Sequence, residues 1–155
     1  MSAAREIANL RGTPTDNNIL LHSTAGDALT AGAGVTNIAV GLNALGAGTT
    51  GDENIAIGAT ALGVGVVTGF NNYAIGTSAA DALTTGSCNV AIGVNSLGAA
   101  TTACLNIAIG NLALGAGTLA CGGAGQAEGN IAIGTTAMDA LTTGSYNVAI
   151  GLNAL

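Results

Sequence analysis

The chain has 155 residues, with 26 Gly, one Pro and three Cys; hydrophobic residues make up 49% of it and aromatic residues only 2%. This composition excludes a core built around aromatic side chains, a collagen triple helix and a disordered tail. Two arginines, no lysine and eight acidic residues leave a net charge of −6, which excludes a basic nucleic-acid footprint and attraction to an anionic bilayer.

Residues 1–17 form an N-terminal arm outside any repeat. Ser2 to Arg11 reads as a short helix with Ile7 and Leu10 on one side, ended by Gly12 and Pro14. Both arginines lie here, so Arg5, Ile7, Leu10 and Arg11 make a docking arm for a larger assembly; the alternative is a cap that shields the first turn of the repeat array. An early Glu6 and the lack of an apolar h-region argue against a signal peptide. No apolar run approaches the ~20 residues of a membrane span.

From residue 18 one pattern recurs: Asn, apolar, small, apolar, Gly. The first copy, Asn18-Ile-Leu-Leu-His22, has His in place of Gly, but Asn18 to Gly32 aligns without gaps to Asn130 to Gly144. The others begin at Asn37, Asn54, Asn72, Asn89, Asn106, Asn130 and Asn147, at successive spacings of 19, 17, 18, 17, 17, 24 and 17. After each Gly come two variable residues, a small one and an apolar one, as in Asn43-Ala44-Leu45 and Leu112-Ala113-Leu114. A Thr-Thr-Gly turn often closes the unit, as at 84–86 and 142–144. A glycine every few residues, at about 1 kcal/mol each, argues against helix.

The period predicts an all-β parallel solenoid of eight turns, about 17 residues each, with two short strands per turn over residues 18–155. At ~4.8 Å per turn the stack is roughly 38 Å tall. The interval of 24 predicts an insertion loop near 116–129 that leaves from one corner. Alternation within each strand puts its two large apolar residues on one face and Ala on the other. With Ile, Leu and Val filling the coil, the Ala face is left as a close-approach surface for further copies, hence a homo-oligomer with cyclic symmetry. The eight asparagines, Asn18, Asn37, Asn54, Asn72, Asn89, Asn106, Asn130 and Asn147, stack into a structural amide ladder.

The NxAIGxxAL units resemble the head repeats of trimeric autotransporter adhesins (YadA-like heads) and, more closely, related repeats of phage tail fibres and virion surface proteins. The resemblance covers residues 18–155. It implies a left-handed β-roll from each chain, three packed about a three-fold axis as a homotrimer. The usual adhesin-head period is shorter than 17, and no export signal, heptad stalk or membrane barrel is legible. The expectation is therefore a non-enzymatic virion surface protein assembled in the host cytoplasm: a tail fibre, spike or capsid decoration segment. Its partners would be its own copies, another virion protein through the N-terminal arm and a host surface receptor, with no nucleic acid and no membrane insertion. A bacterial adhesin head at the cell surface is the alternative, and an ice-binding solenoid with stacked Thr (49–50, 84–85, 101–102, 142–143) is a third.

No catalytic constellation, cofactor motif or metal motif is legible. His22 lacks a neighbouring acid or nucleophile and reads as a turn residue; Asp52-Glu53 reads as a solvated corner. Asp27, Asp81 and Asp139 each open Asp-Ala-Leu-Thr in turns 1, 4 and 7. Three turns place them roughly 14 Å apart, too far for one chain to share a metal, although copies about a trimer axis would bring like residues to one level. Cys88, Cys104 and Cys121, odd in number and without a C-x-x-C pair, read as reduced small residues rather than a disulfide or zinc framework.

Overall fold

A computed structural model describes residues 10–11, 16–122 and 126–155. Its repeat domain is a β-solenoid of about eight turns. The strands are β1 (Leu10–Arg11), β2 (Ile19–Leu21), β3 (Ile38–Val40), β4 (Ile55–Ile57), β5 (Tyr73–Ile75), β6 (Val90–Ile92), β7 (Ile107–Ile109), β8 (Ile131–Ile133) and β9 (Val148–Ile150). β2 to β9 form one parallel sheet in sequence order, in which each residue pairs with its counterpart one repeat away, as Ala91 with Ala108 and Ala108 with Ala132. Identical registers stack identical side chains, so the internal repeat of the sequence becomes columns in space.

Each turn contributes one three-residue strand, not two. The Asn-Ala-Leu half is a run of turns because two of its residues adopt left-handed backbone, for example Asn95 (φ 53°) and Leu97 (φ 52°). Such residues rotate the chain out of the extended region. The half is nonetheless stitched to its neighbours: Leu97 N–H donates to Ala113 O at 2.9 Å, and Asn95 N–H donates to Thr77 O at 3.0 Å. Asn accepts left-handed geometry readily, whereas Leu does so at a cost that its full burial offsets.

The Gly that ends each strand is required for a different reason. Gly76 has φ +137°, and a Cβ there would lie 2.6 Å from Gly93 O in the next turn. A side chain is therefore disfavoured at Gly41, Gly58, Gly76, Gly93, Gly110 and Gly134, where a Cβ would meet the backbone of the next turn. His22 takes the same place in turn 1 with φ 153°.

The interior reverses the expected assignment of the strand faces. The middle residues Ala39, Ala56, Ala74, Ala91, Ala108 and Ala132 are buried within the coil, and among the described residues no isoleucine is buried. The core consists of those alanines and the leucine column Leu45, Leu62, Leu97 and Leu114, joined by Met138, with Val67, Leu83 and Leu119 beside it. The coil is too narrow for two large columns per strand, so Ala faces inward and the flanking Ile, Val and Tyr face out.

Two further expectations are corrected. Leu10–Arg11 is a strand antiparallel to β2, with Leu10 opposite Leu21, rather than the end of a helix; Arg5 and Ile7 lie outside the described residues. Cys104 and Cys121 form a disulfide with Cα atoms 5.7 Å apart, and Cys88 is free and exposed. Their separation of 17 residues is one solenoid period, so partners far apart in sequence lie on adjacent turns.

Candidate assembly surface

The outward face of the parallel sheet is apolar along its height. One column runs Ile19, Ile38, Ile55, Tyr73, Val90, Ile107, Ile131 and Val148; the other runs Leu21, Val40, Ile57, Ile75, Ile92, Ile109, Ile133 and Ile150. None of these side chains is buried, and in the middle of the stack Tyr73 is 43% exposed and Ile75 38%. Single exposed apolar residues are ordinary, whereas these sixteen, eight exposed and eight half-buried, form two contiguous apolar columns and so a candidate surface for association. Leu42 and Val94, both exposed just beyond the strand-ending Gly, extend it at the corner.

This surface was not assigned from the sequence, which placed the contact on the Ala side. The signal was present in the repeat itself. The middle position is Ala in seven of eight copies and Leu20 in the first, while its neighbours vary among Ile, Val, Leu and Tyr. A position that takes Tyr73 and Ile interchangeably is not constrained by a narrow interior.

The asparagines stand where the sequence placed them, in one column at the strand start. Six, from Asn37 to Asn130, are buried; Asn18 and Asn147 at the ends are half-buried. Asn89 shows the pattern. Its Oδ1 accepts Asn106 N–H at 3.1 Å, and its Nδ2 donates to Ala103 O at 2.6 Å and to Asn72 Oδ1 at 2.9 Å. Each side chain thus pairs backbone groups of its own turn and of the next, and among the described residues no buried side-chain polar atom lacks a partner. These residues tie each turn to the next, and the six buried amides use their polar atoms in those bonds.

The acidic residues are scattered. Asp52 Oδ1 accepts Val35 N–H at 2.8 Å and Asp139 Oδ1 accepts Ala116 N–H at 3.1 Å, so both carboxylates tie backbone across turns. Burial pushes the Asp81 carboxyl above the ordinary aspartate range, against the opposing pull of hydrogen bonds from its own and the following backbone amide and from Ser78. Among the described residues no three His, Cys, Asp or Glu side chains gather as a metal site. His22 Nδ1 accepts Thr24 N–H at 3.3 Å and lies 3.1 Å from the Thr24 hydroxyl, a local turn contact. At the other end of the stack, Tyr146 donates its hydroxyl to Glu128 at 3.0 Å, which holds the exposed phenol above its usual range. Among the described residues no helix is long and apolar enough to cross a membrane.

No family model, curated protein or solved structure matches the chain.

Proposed function

We propose that the chain is a non-enzymatic structural protein of a phage virion surface, a tail fibre, spike or capsid decoration segment, in which a left-handed β-roll acts as a homotrimer for attachment or particle stabilisation. The observation that carries this reading is the outward apolar face. A chain with a filled interior and two outward-facing apolar columns, partly exposed along their whole height, gains hydrophobic free energy when that face is covered on association. Closed cyclic packing covers such a face once per protomer without leaving an open end for fibre growth. The resemblance of the NxAIGxxAL units to trimeric heads supplies the number three. The acidic surface and absent basic patch suit a particle exterior rather than a nucleic-acid interior.

The test is solution mass by light scattering after gel filtration. The expected mass is three times 14.6 kDa, persisting in mild denaturant. A stable, folded monomer would overturn the assembly and with it the virion-head reading. A bacterial adhesin head is favoured by one observation, the Cys104–Cys121 disulfide, because a cell surface is oxidising. Capsid and tail genes beside the coding gene support the virion reading, and an anchor region in the same reading frame supports the adhesin.

A further inference from the structure

The disulfide sits at the turn whose length departs most from the usual 17 residues. Turn 6 runs 24 residues from Asn106 to the next ladder position, Asn130, seven more than the usual 17. The Ala120–Cys121 foot of this longer turn rests on turn 5. The backbone of Ala120 bridges Thr102, and Cys121 N–H donates to Thr102 O at 3.2 Å. Ala127 N–H donates to Ala120 O at 2.9 Å and Asn106 Nδ2 donates to Ala127 O at 3.2 Å. Gly129 N–H then reaches Cys104 O at 3.3 Å. Among the described residues this is the one junction between turns that carries a covalent link, from Cys104 to Cys121. Leu119 and Ala127 on either side are buried, whereas both cysteines are half-buried, within reach of a small thiol.

We propose that the Cys104–Cys121 disulfide is a redox-operated clamp between turns 5 and 6, closed under oxidising conditions and opened by a dithiol reductant, which controls the local stability of the Ala120–Cys121 foot without unfolding the coil. Opening is a two-step exchange. A reductant thiolate attacks one Sγ, the Cys104–Cys121 bond breaks and a mixed disulfide forms. The second reductant thiol then displaces the protein sulfur, leaving two protein thiols and a cyclic oxidised dithiol. Closure reverses this, with the two electrons and two protons passing to a disulfide oxidant. The remaining turns keep their ladders in both states, so the effect is confined to one segment, a local opening rather than a global one. A clamp of this kind is open in a reducing interior and closes when the protein meets an oxidising exterior. The inference does not rest on the virion reading.

The test is amide hydrogen exchange on the full chain, oxidised and after treatment with dithiothreitol, with intact mass recording the two-hydrogen difference. Exchange at Cys121 and Ala127 is expected to rise at least tenfold on reduction, while amides of β3 to β6 keep their protection. Cys104→Ser and Cys121→Ser should exchange at the reduced rate in oxidising buffer, and Cys88→Ser should retain the full redox response. Absence of the mass difference would overturn the proposal, as would unchanged protection at Cys121. Loss of protection throughout the coil, or a peptide map pairing Cys88 with either partner, would overturn it too.

Discussion

Replacing Asn89 by Ala in the middle of the ladder removes hydrogen bonds that nothing else supplies. Asn106 N–H and Ala103 O are satisfied by Asn89 alone, whereas Asn72 Oδ1 keeps Asn89 N–H as a donor and Ser87 O keeps Leu105 N–H. Two buried backbone groups are thus orphaned at about 1–3 kcal/mol each, for a total of roughly 2–6 kcal/mol before any cavity is counted. At the C-terminal end of the column the same change is expected to be mild. Asn147 Nδ2 donates to Asn130 Oδ1, which keeps Asn147 N–H if the amide is lost. In the 155-residue chain Asn147→Ala should therefore cost within about 1 kcal/mol. Asn89→Asp separates shape from chemistry. It preserves the acceptor toward Asn106 N–H but turns an oxygen toward Ala103 O, so the fold tolerates it only with the carboxyl protonated, and its stability should fall as pH rises from 4 to 7. Urea midpoints read by circular dichroism at one fixed protomer concentration measure all three, since association links stability to concentration. Equal costs for Asn89→Ala and Asn147→Ala, or a pH-independent Asn89→Asp, would refute the ladder argument.

Ile92→Asp puts a charge in the middle of an outward column; the chain should keep its circular dichroism spectrum, since the side chain is already 36% exposed, but should elute at the mass of one protomer. Gly76→Ala forces a side chain into φ +137° and against Gly93 O, for a loss of at least about 1–3 kcal/mol from backbone strain. Gly151→Ala meets the same φ class with nothing within 4 Å, so a urea midpoint equal to that of Gly76→Ala would argue against the close approach of turns. Asp81→Asn tests burial of a carboxyl. A folded pKa above the unfolded one means the native state holds its proton longer, so this group's contribution is full below the unfolded pKa and is lost as pH rises through the folded value. The amide should accordingly raise the melting temperature at pH 7 and leave it unchanged at pH 3; a gain of equal size at both would exclude the linkage.

Periodicity makes the coil legible because a solenoid converts sequence period directly into stacked contacts. The Asn spacing identifies the turn, its length and the ladder without knowledge of any tertiary contact outside the repeat. What it does not identify is the second strand's absence, because Asn95 and Leu97 take left-handed backbone that propensity for the β region does not register. The disulfide is also missed. Cys104 and Cys121 belong to an odd set lacking a local motif, and only their spacing, equal to the period of the asparagines, signals that they lie on adjacent turns.

The reversal of the strand faces follows from a quantity that alternation cannot supply, the width of the coil. Period-two alternation separates Ile from Ala but is symmetric as to which side is inside. The opposite wall decides it. The turn half sends a Leu into the interior at several levels between Leu45 and Leu114, with Met138 at turn 7, and that one column leaves room across the coil for a methyl group and no more. With Leu inward, Ala must face it, and two large apolar side chains per turn are left on the surface. A narrow interior therefore does more than exclude aromatics: it expels the largest share of the chain's bulky apolar residues to one outer face. The same constraint that makes each turn small leaves an apolar sheet face on the protomer, and the proposed trimer depends on covering it.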